Sequence, residues 1–224
     1  MNRDLSSSRV LALPRLYAIA DAEMLADRDI ELRRFAEAVR DAGGRLLQYR
    51  DKRANEKEIL KNARLLTGIF QGTEAVLVMN DFPLLARRAG WHAVHVGQED
   101  PAVMVARSLL GPECVIGCST HQEIQVREAD AVGADYIAIG PVFSTSTKLN
   151  PDPVVGLEGV RRARALTKRP LVAIGGITAE NAASVIEAGA DTVAVIGALM
   201  HPQASLGARV RAFLEAMPAA PPSQ

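Results

Sequence analysis

The sequence predicts one α/β domain, a single (β/α)8 TIM barrel. Three observations predict it. Eight short apolar runs recur along the chain, helical periodicity fills the spaces between them, and the runs are apolar throughout rather than alternating. Continuous apolar runs suit a parallel sheet covered on both faces. Eight βα units in 224 residues give about 28 residues each, a compact barrel with short loops. The alternative is a doubly wound open sheet. That fold typically has about five to seven strands, and no Gly-x-Gly-x-x-Gly follows the first run.

The runs occupy residues 15–21, 46–51, 75–81, 93–98, 114–119, 136–142, 170–176 and 192–197. Between the first two, residues 30–42 place Leu32, Phe35, Ala36, Val39 and Ala42 on one helical face. Residues 56–70 do the same with Ile59, Ala63, Leu66 and Phe70, and residues 157–166 and 179–188 behave alike. Gly43-Gly44, Gly90, Gly133 and Gly189 stand just before the next run, where helix C-terminal caps belong. The barrel is assigned to residues 15–217, with residues 1–14 and 218–224 as tails and no linker between.

Composition narrows the function classes. Lys plus Arg is 26 and Asp plus Glu is 26, so the formal charge is zero. A nucleic-acid binder normally carries a basic surplus, so none is expected; local pockets for small anions remain compatible. The apolar share of 48% excludes a disordered chain. No apolar run reaches the roughly 18 residues that span a bilayer. The first 14 residues lack a long apolar stretch behind their charges. A cytoplasmic protein without membrane contact is expected. Cys114 and Cys118, four apart in one strand run, are too distant for a disulfide and read as reduced, buried thiols. Zinc would need further ligands near them.

In a barrel, chemistry collects at the C-terminal ends of the strands. The second run ends Gln48-Tyr49-Arg50-Asp51-Lys52. Alternation puts Gln48, Arg50 and Lys52 on one face and Tyr49 and Asp51 on the other. Two cations and an amide on one face of a buried strand are costly unless an anion meets them; the bland alternative is a solvated strand end. The third run ends Asn80-Asp81, the fourth leads to Asp100, and Pro83 and Pro101 follow these acids closely. Each acid alone reads more readily as a helix N-cap ahead of a first-turn proline. Together, on adjacent strands beside two cations, they fit Mg²⁺ with a diphosphate, because Mg²⁺ takes one or two carboxylates plus phosphate oxygens and water.

The fifth run leads into Ser119-Thr120-His121-Gln122-Glu123, where Thr120 and Glu123 have capping-box spacing. That leaves Ser119 as a donor to a ligand, and His121 as a base would rest on one loop histidine. After the sixth run comes the longest loop, with Ser144-Thr145-Ser146-Thr147-Lys148, four hydroxyls and a cation that suit an anion. The last two runs end Gly175-Gly176 and Ile196-Gly197. Missing side chains there let backbone amides approach a phosphate, where barrels often hold one; tight turning or close packing is the alternative. Two anion sites emerge, one metal-assisted over the second to fourth runs with Lys148 nearby, the other a backbone nest over the last two. A barrel holding a diphosphate and a monophosphate suggests the joining of two phosphorylated halves with loss of pyrophosphate.

These residues resemble the motifs of thiamine-phosphate synthases. Gln48-Tyr49-Arg50-Asp51-Lys52 is similar to that family's Gln-Leu-Arg-Asp-Lys, and Asn80-Asp81 to its Asn-Asp. Val94-His95-Val96-Gly97-Gln98-Glu99-Asp100 resembles Val-His-Leu-Gly-Gln-x-Asp, and Gly117-Cys118-Ser119-Thr120-His121 resembles Gly-x-Ser-x-His. Gly140-Pro141-Val142-Phe143 with Thr145, Thr147 and Lys148 looks like Gly-Pro-Val-Phe-x-Thr-x-Thr-Lys, and Ala173-Ile174-Gly175-Gly176-Ile177 like Ala-Ile-Gly-Gly-Ile. The likeness runs in order from about residue 15 to about residue 200.

The resemblance implies a transferase. It would couple 4-amino-2-methyl-5-hydroxymethylpyrimidine diphosphate with 4-methyl-5-(2-phosphoethyl)thiazole, or its carboxylate, giving thiamine monophosphate and pyrophosphate. It implies that Gln48, Arg50, Lys52, Asn80, Ser119 and Lys148 hold the pyrimidine diphosphate, with Arg50, Lys52, Lys148 and Ser119 catalytic. Asp81 and Asp100 would ligate Mg²⁺, and Thr145, Thr147, Gly176, Ile196 and Gly197 would hold the thiazole phosphate. The implied mechanism is dissociative: pyrophosphate leaves with help from Mg²⁺, Arg50, Lys52 and Lys148, the pyrimidine-methyl cation is stabilised by its ring amino group, and the thiazole nitrogen attacks. The expected partners are small phosphorylated molecules, with homo-oligomer formation left open. The chain departs from the family's usual Leu at Tyr49, Arg at Phe82 and Ser at Gly197. A sister group, the thiazole tautomerases, uses a histidine at the position matching His121 and lacks the diphosphate residues. A tautomerase using His121 is therefore the alternative, and a non-catalytic barrel binding a phosphorylated ligand is another.

Overall fold

The computed structural model describes residues 12–97, 102–145 and 153–218. Its eight parallel strands close into a barrel in chain order: β1 (Leu16–Asp21), β2 (Leu46–Arg50), β3 (Val76–Asn80), β4 (Ala93–Val96), β5 (Val115–Thr120), β6 (Tyr136–Ile139), β7 (Leu171–Ile174) and β8 (Thr192–Val195). β8 returns to pair with β1, with Leu16 opposite Val193. The barrel read from the sequence is the fold, and only Thr120 carries a strand beyond its expected run.

Helices follow each strand: α1 (Ala22–Asp27), α2 (Leu32–Asp41), α3 (Glu56–Phe70), α4 (Pro83–Ala89), α5 (Val103–Leu110), α6 (Glu123–Ala131), α7 (Gly156–Leu166), α8 (Ala179–Glu187) and α9 (Leu206–Ala216). The helix expected over residues 56–70 is α3, with the same bounds. The short α1 has no counterpart in the sequence reading because it buries only Leu25 and so shows no apolar period. Asp21 starts it: its carboxylate accepts from Met24 N at 3.0 Å, satisfying one amide of the first turn.

Two apolar layers explain why the strand runs do not alternate. Leu47, Tyr49, Met79, Val94, Ile116 and Leu171 pack outward against helix residues such as Phe35, Leu66 and Phe213. Tyr17, Ile19, Leu46, Val78, Tyr136 and Val172 fill the barrel interior. Successive residues of a strand point to opposite faces, and here both faces are dry. The interior is crowded at one point by design of the chain. Gly117 of β5 lies opposite Tyr136 of β6, and a Cβ on Gly117 would sit 2.0 Å from Tyr136 Cζ. The glycine makes the room that the tyrosine ring occupies.

Both cysteines are reduced and buried, and burial raises the pKa of each thiol. Cys114 precedes β5 rather than lying within it, and its thiol donates to Leu110 O at 3.1 Å. No helix among the described residues is long and apolar enough to cross a membrane.

Candidate active site

Strand β2 carries the first group of site residues, and its alternation is as expected. Gln48 is buried in the barrel interior, where its Nε2 donates to Tyr17 OH at 2.8 Å. Arg50, two residues on, forms an ion pair with the buried Asp21 at the end of β1. Lys52 Nζ lies 3.2 Å from Asp81 Oδ2. Burying a carboxylate is costly unless it is paired and hydrogen-bonded; Asp21 is held by both Arg50 and the α1 amide.

Tyr49 and Asp51 face away from this group. Tyr49 OH donates to Asp51 Oδ2 at 3.0 Å and accepts from Asn62 Nδ2 of α3 at 2.8 Å. Asp51 Oδ1 accepts from Arg53 N and Ala54 N at 3.1 and 2.9 Å, which closes the turn before α3. Tyr49 therefore ties β2 to its helix, which explains how this position accepts a tyrosine in place of leucine.

Asp81 is not a helix cap. The N-cap of α4 is Phe82, without a side-chain cap bond, and Phe82 packs against the outer core. Asp81 instead has φ 63°, a left-handed conformation, which for a non-glycine residue costs about 1–3 kcal/mol. It is nearly buried, at 9% exposure. Its N donates to His95 O at 2.9 Å, while its carboxylate meets Lys52. Asn80, buried, ends β3 immediately before it. Asp100 lies outside the described residues. No group of three or more His, Cys, Asp or Glu that could hold a metal occurs among the described residues. The donor set still fits Mg²⁺, which takes one or two carboxylates and completes its octahedron with phosphate oxygens and water.

The fifth strand differs from expectation. Because β5 runs through Thr120, that hydroxyl donates to Ala138 O at 2.8 Å within the sheet and does not cap a helix. The capping box is Gln122 with Gln125, and Gln125 Oε1 accepts from His121 N at 2.7 Å. Ser119, expected to be left over for a ligand, has its Oγ 2.8 Å from His95 Nε2. His95 carries no role in the sequence reading beyond its place in a motif. Its signal was available: it is the one strongly polar side chain in the four-residue β4, on the inward parity. His121 Nδ1 lies 2.6 Å from Gly140 O, so that nitrogen bears a proton donated to the carbonyl.

The far side of the mouth is built from backbone. Gly175 and Gly176 have φ 100° and 65°. A Cβ on Gly176 would lie 2.5 Å from Ser144 O and 2.7 Å from Phe143 Cβ, and one on Gly175 would lie 2.5 Å from Pro141 Cβ. Phe143 N donates to Gly175 O at 2.9 Å. Close packing of the loop after β6 on the loop after β7 thus accounts for both glycines. Ile196 precedes and Gly197 opens a 3₁₀ turn, Gly197–Met200, where barrels often place a short extra helix that meets phosphate. Thr145 is described; Thr147 and Lys148 lie outside the described residues.

The arrangement sets two cations, each paired with a buried carboxylate, on one side, and closely packed glycine turns on the other. Comparison with known proteins agrees with the motifs. The family model described as thiamine monophosphate synthase matches residues 16–199, from the first residue of β1 into the turn after β8. A thiamine-phosphate synthase of Koribacter versatilis (strain Ellin345) is 50% identical over 192 residues, covering 85% of this chain and 90% of that protein. One of Nitrosococcus oceani is 42% identical over 186 residues, covering 82% and 84%. The solved structure of a thiamine phosphate pyrophosphorylase from Pyrococcus furiosus has a TM-score of 0.80 at 29% identity, covering 90% of this chain and 94% of that one. The chain belongs to the thiamine monophosphate synthase family.

Proposed function

We propose that the protein is a thiamine-phosphate synthase, a transferase that joins the aminopyrimidine diphosphate to the thiazole phosphate and releases pyrophosphate. The observation that carries this reading is the convergence of Gln48, Arg50, Lys52, Asn80 and Asp81 on the ends of neighbouring strands, with Lys52 against Asp81. A tautomerase has no need of that charged group, and the relatives are named as synthases.

In this reading Arg50 and Lys52, joined by Lys148, exchange their carboxylate partners for the diphosphate oxygens. Charge-assisted bonds of this kind are the strong ones, and they grow stronger as charge builds on the leaving group. Asn80 supplies a further polar contact. Asp81, with Asp100, would hold Mg²⁺, which when bound supplies neutralisation of the pyrophosphate charge. Gln48 and Ser119 orient the pyrimidine. Thr145, Thr147, Gly176, Ile196 and Gly197 hold the thiazole phosphate so that its ring nitrogen faces the reacting carbon, and positioning carries much of the rate. Protein acid–base chemistry has little part in this reading, because the leaving group departs with its charge balanced by cations rather than by a transferred proton. Reduced, buried thiols support a cytoplasmic setting.

The test is a purified-protein assay with both substrates, reading thiamine phosphate and pyrophosphate with and without Mg²⁺. Equal amounts of both products, formed only with Mg²⁺, are expected. A protein that isomerises a thiazole but never releases pyrophosphate would contradict the reading.

A further inference from the structure

A hydrogen-bonded chain crosses the barrel interior from β2 to β5. Gln48 Nε2 donates to Tyr17 OH at 2.8 Å, and Tyr17 OH lies 3.0 Å from Tyr136 OH. Tyr136 OH lies 3.0 Å from His95 Nδ1, and His95 Nε2 lies 2.8 Å from Ser119 Oγ. The middle three side chains have no role in the function proposed above. They are fixed in place: Tyr17 meets Tyr136 edge-on at 6.1 Å, and His95 stacks on Tyr136 at 5.5 Å. Gly117 leaves the space for the Tyr136 ring. Burial raises the pKa of both phenols, so each keeps one proton.

Proton counting gives the chain a direction. A neutral phenol has one proton to donate, and a neutral imidazole has one N–H. When Gln48 donates to Tyr17, Tyr17 donates to Tyr136, Tyr136 donates to His95 Nδ1, and His95 donates from Nε2 to Ser119. The proton of Ser119 then points away from the imidazole. If the Gln48 amide turns over and accepts, every bond reverses, and Ser119 donates to His95. A mixed arrangement would leave two lone pairs facing each other or a hydroxyl proton without an acceptor in a dry interior. The outward-facing groups are therefore opposite in kind: a Gln48 carbonyl goes with a Ser119 hydroxyl donor, and a Gln48 amide donor goes with a Ser119 lone pair.

We propose that Tyr17, Tyr136 and His95 are positioning residues, a buried relay that keeps Gln48 and Ser119 at opposite hydrogen-bonding polarity. The site thereby selects a ring edge bearing one donor and one acceptor, as a 4-aminopyrimidine does with its amino group and ring nitrogen. The selection rests on the reading that Gln48 and Ser119 meet the pyrimidine; the relay itself does not.

The experiment has two arms. In the first, ¹⁵N-histidine spectra are recorded on the free protein; the chain has four histidines, so assignment is tractable. His95 is expected as a single tautomer in wild type and as a mixture in Tyr136→Phe. Tyr17→Phe, which cuts the chain one bond earlier, serves if Tyr136→Phe does not fold. An unchanged His95 signal in a folded variant would overturn the relay. In the second arm, 4-amino- and 4-methoxypyrimidine analogues, the latter presenting two acceptors, compete with the diphosphate substrate. Wild type should prefer the amino analogue by roughly tenfold or more, the factor expected for leaving a buried polar group unpaired. Tyr136→Phe should lose most of that preference and raise KM for the pyrimidine substrate, with KM for the thiazole substrate within about twofold. An unchanged preference overturns the selection. A wild type that locks the His95 tautomer but makes no thiamine phosphate sinks the synthase reading and leaves the relay standing.

Discussion

The two sides of the barrel mouth are built on different principles. On the β1–β3 side, the site consists of side chains: Arg50 is matched by Asp21 and Lys52 by Asp81. On the β6–β8 side it consists largely of main chain, and the glycines there are places where other backbone comes close. A Cβ on Gly140 would lie 2.2 Å from Ile174 O, and one on Gly176 would lie 2.5 Å from Ser144 O. Lys52 on the charged side is half-exposed and can be changed with little effect on the fold, so its loss reports on ligand contact, whereas loss of Arg50 would also leave the buried Asp21 unpaired. A glycine on the other side cannot be changed so freely, so its loss reports first on packing. Reduced activity in a Gly176 variant is thus no sign of a phosphate contact, whereas reduced activity in a Lys52 variant is a direct one.

The largest effect expected from this contrast is at Asp81. Asp81→Asn keeps a residue that tolerates left-handed backbone and removes only the charge. Turnover should fall by about 10²-fold or more, while the melting temperature stays within a few degrees. Steady-state kinetics over a Mg²⁺ titration, with thermal melts alongside, check this. A variant with near-full turnover and a lowered melting temperature would make Asp81 a structural residue.

On the opposite side, Gly176→Val should behave as a folding variant. Overpacking costs about 1–3 kcal/mol, and the positive φ adds strain for a β-branched residue. Urea denaturation should show the loss, with both KM values rising together. A KM increase confined to the thiazole phosphate, at unchanged stability, would break the contrast between the two sides.

The smallest effect is at Tyr49, on the outward face of the same strand that carries Arg50. Tyr49→Phe removes the hydroxyl that joins Asn62 to Asp51, at about 0.5–1.5 kcal/mol for a hydrogen bond. Neither KM should change by more than about twofold. A selective rise in KM for the pyrimidine diphosphate would mean that the outward face communicates with the site.

What was legible in the sequence follows from what is local. Strand number and the Gln48/Arg50/Lys52 face came from apolar runs and a period of two, both written in neighbouring residues. The conformation of Asp81 was not legible. An acid two residues before a proline fits an N-cap, but Asp81 takes the left-handed region instead, with its carboxylate on Lys52, its N–H on His95 O and a Phe82 N to Asn80 O bond closing the turn around it. The capping box moved from Thr120 to Gln122 because one more residue joined β5, a choice made by its bond to Ala138 of β6. His95 was readable as inward-facing, but its partners Tyr136 and Ser119 come from two other strands. Side-chain identity announces such groups; only closure of the barrel brings them together.

The division of the mouth into a charged side for the diphosphate and a backbone side for the thiazole phosphate is tested most directly by calorimetric titration of inorganic pyrophosphate. The titration is run with Mg²⁺ into wild type, Lys52→Ala and Thr145→Ala. Lys52 is half-exposed and Thr145 lies on the loop after β6, so both variants should fold. The account predicts at least about tenfold weaker binding for Lys52→Ala, as expected when a charge-assisted contact is lost, and a change of less than about twofold for Thr145→Ala. Binding unaffected in Lys52→Ala and lost in Thr145→Ala would contradict it.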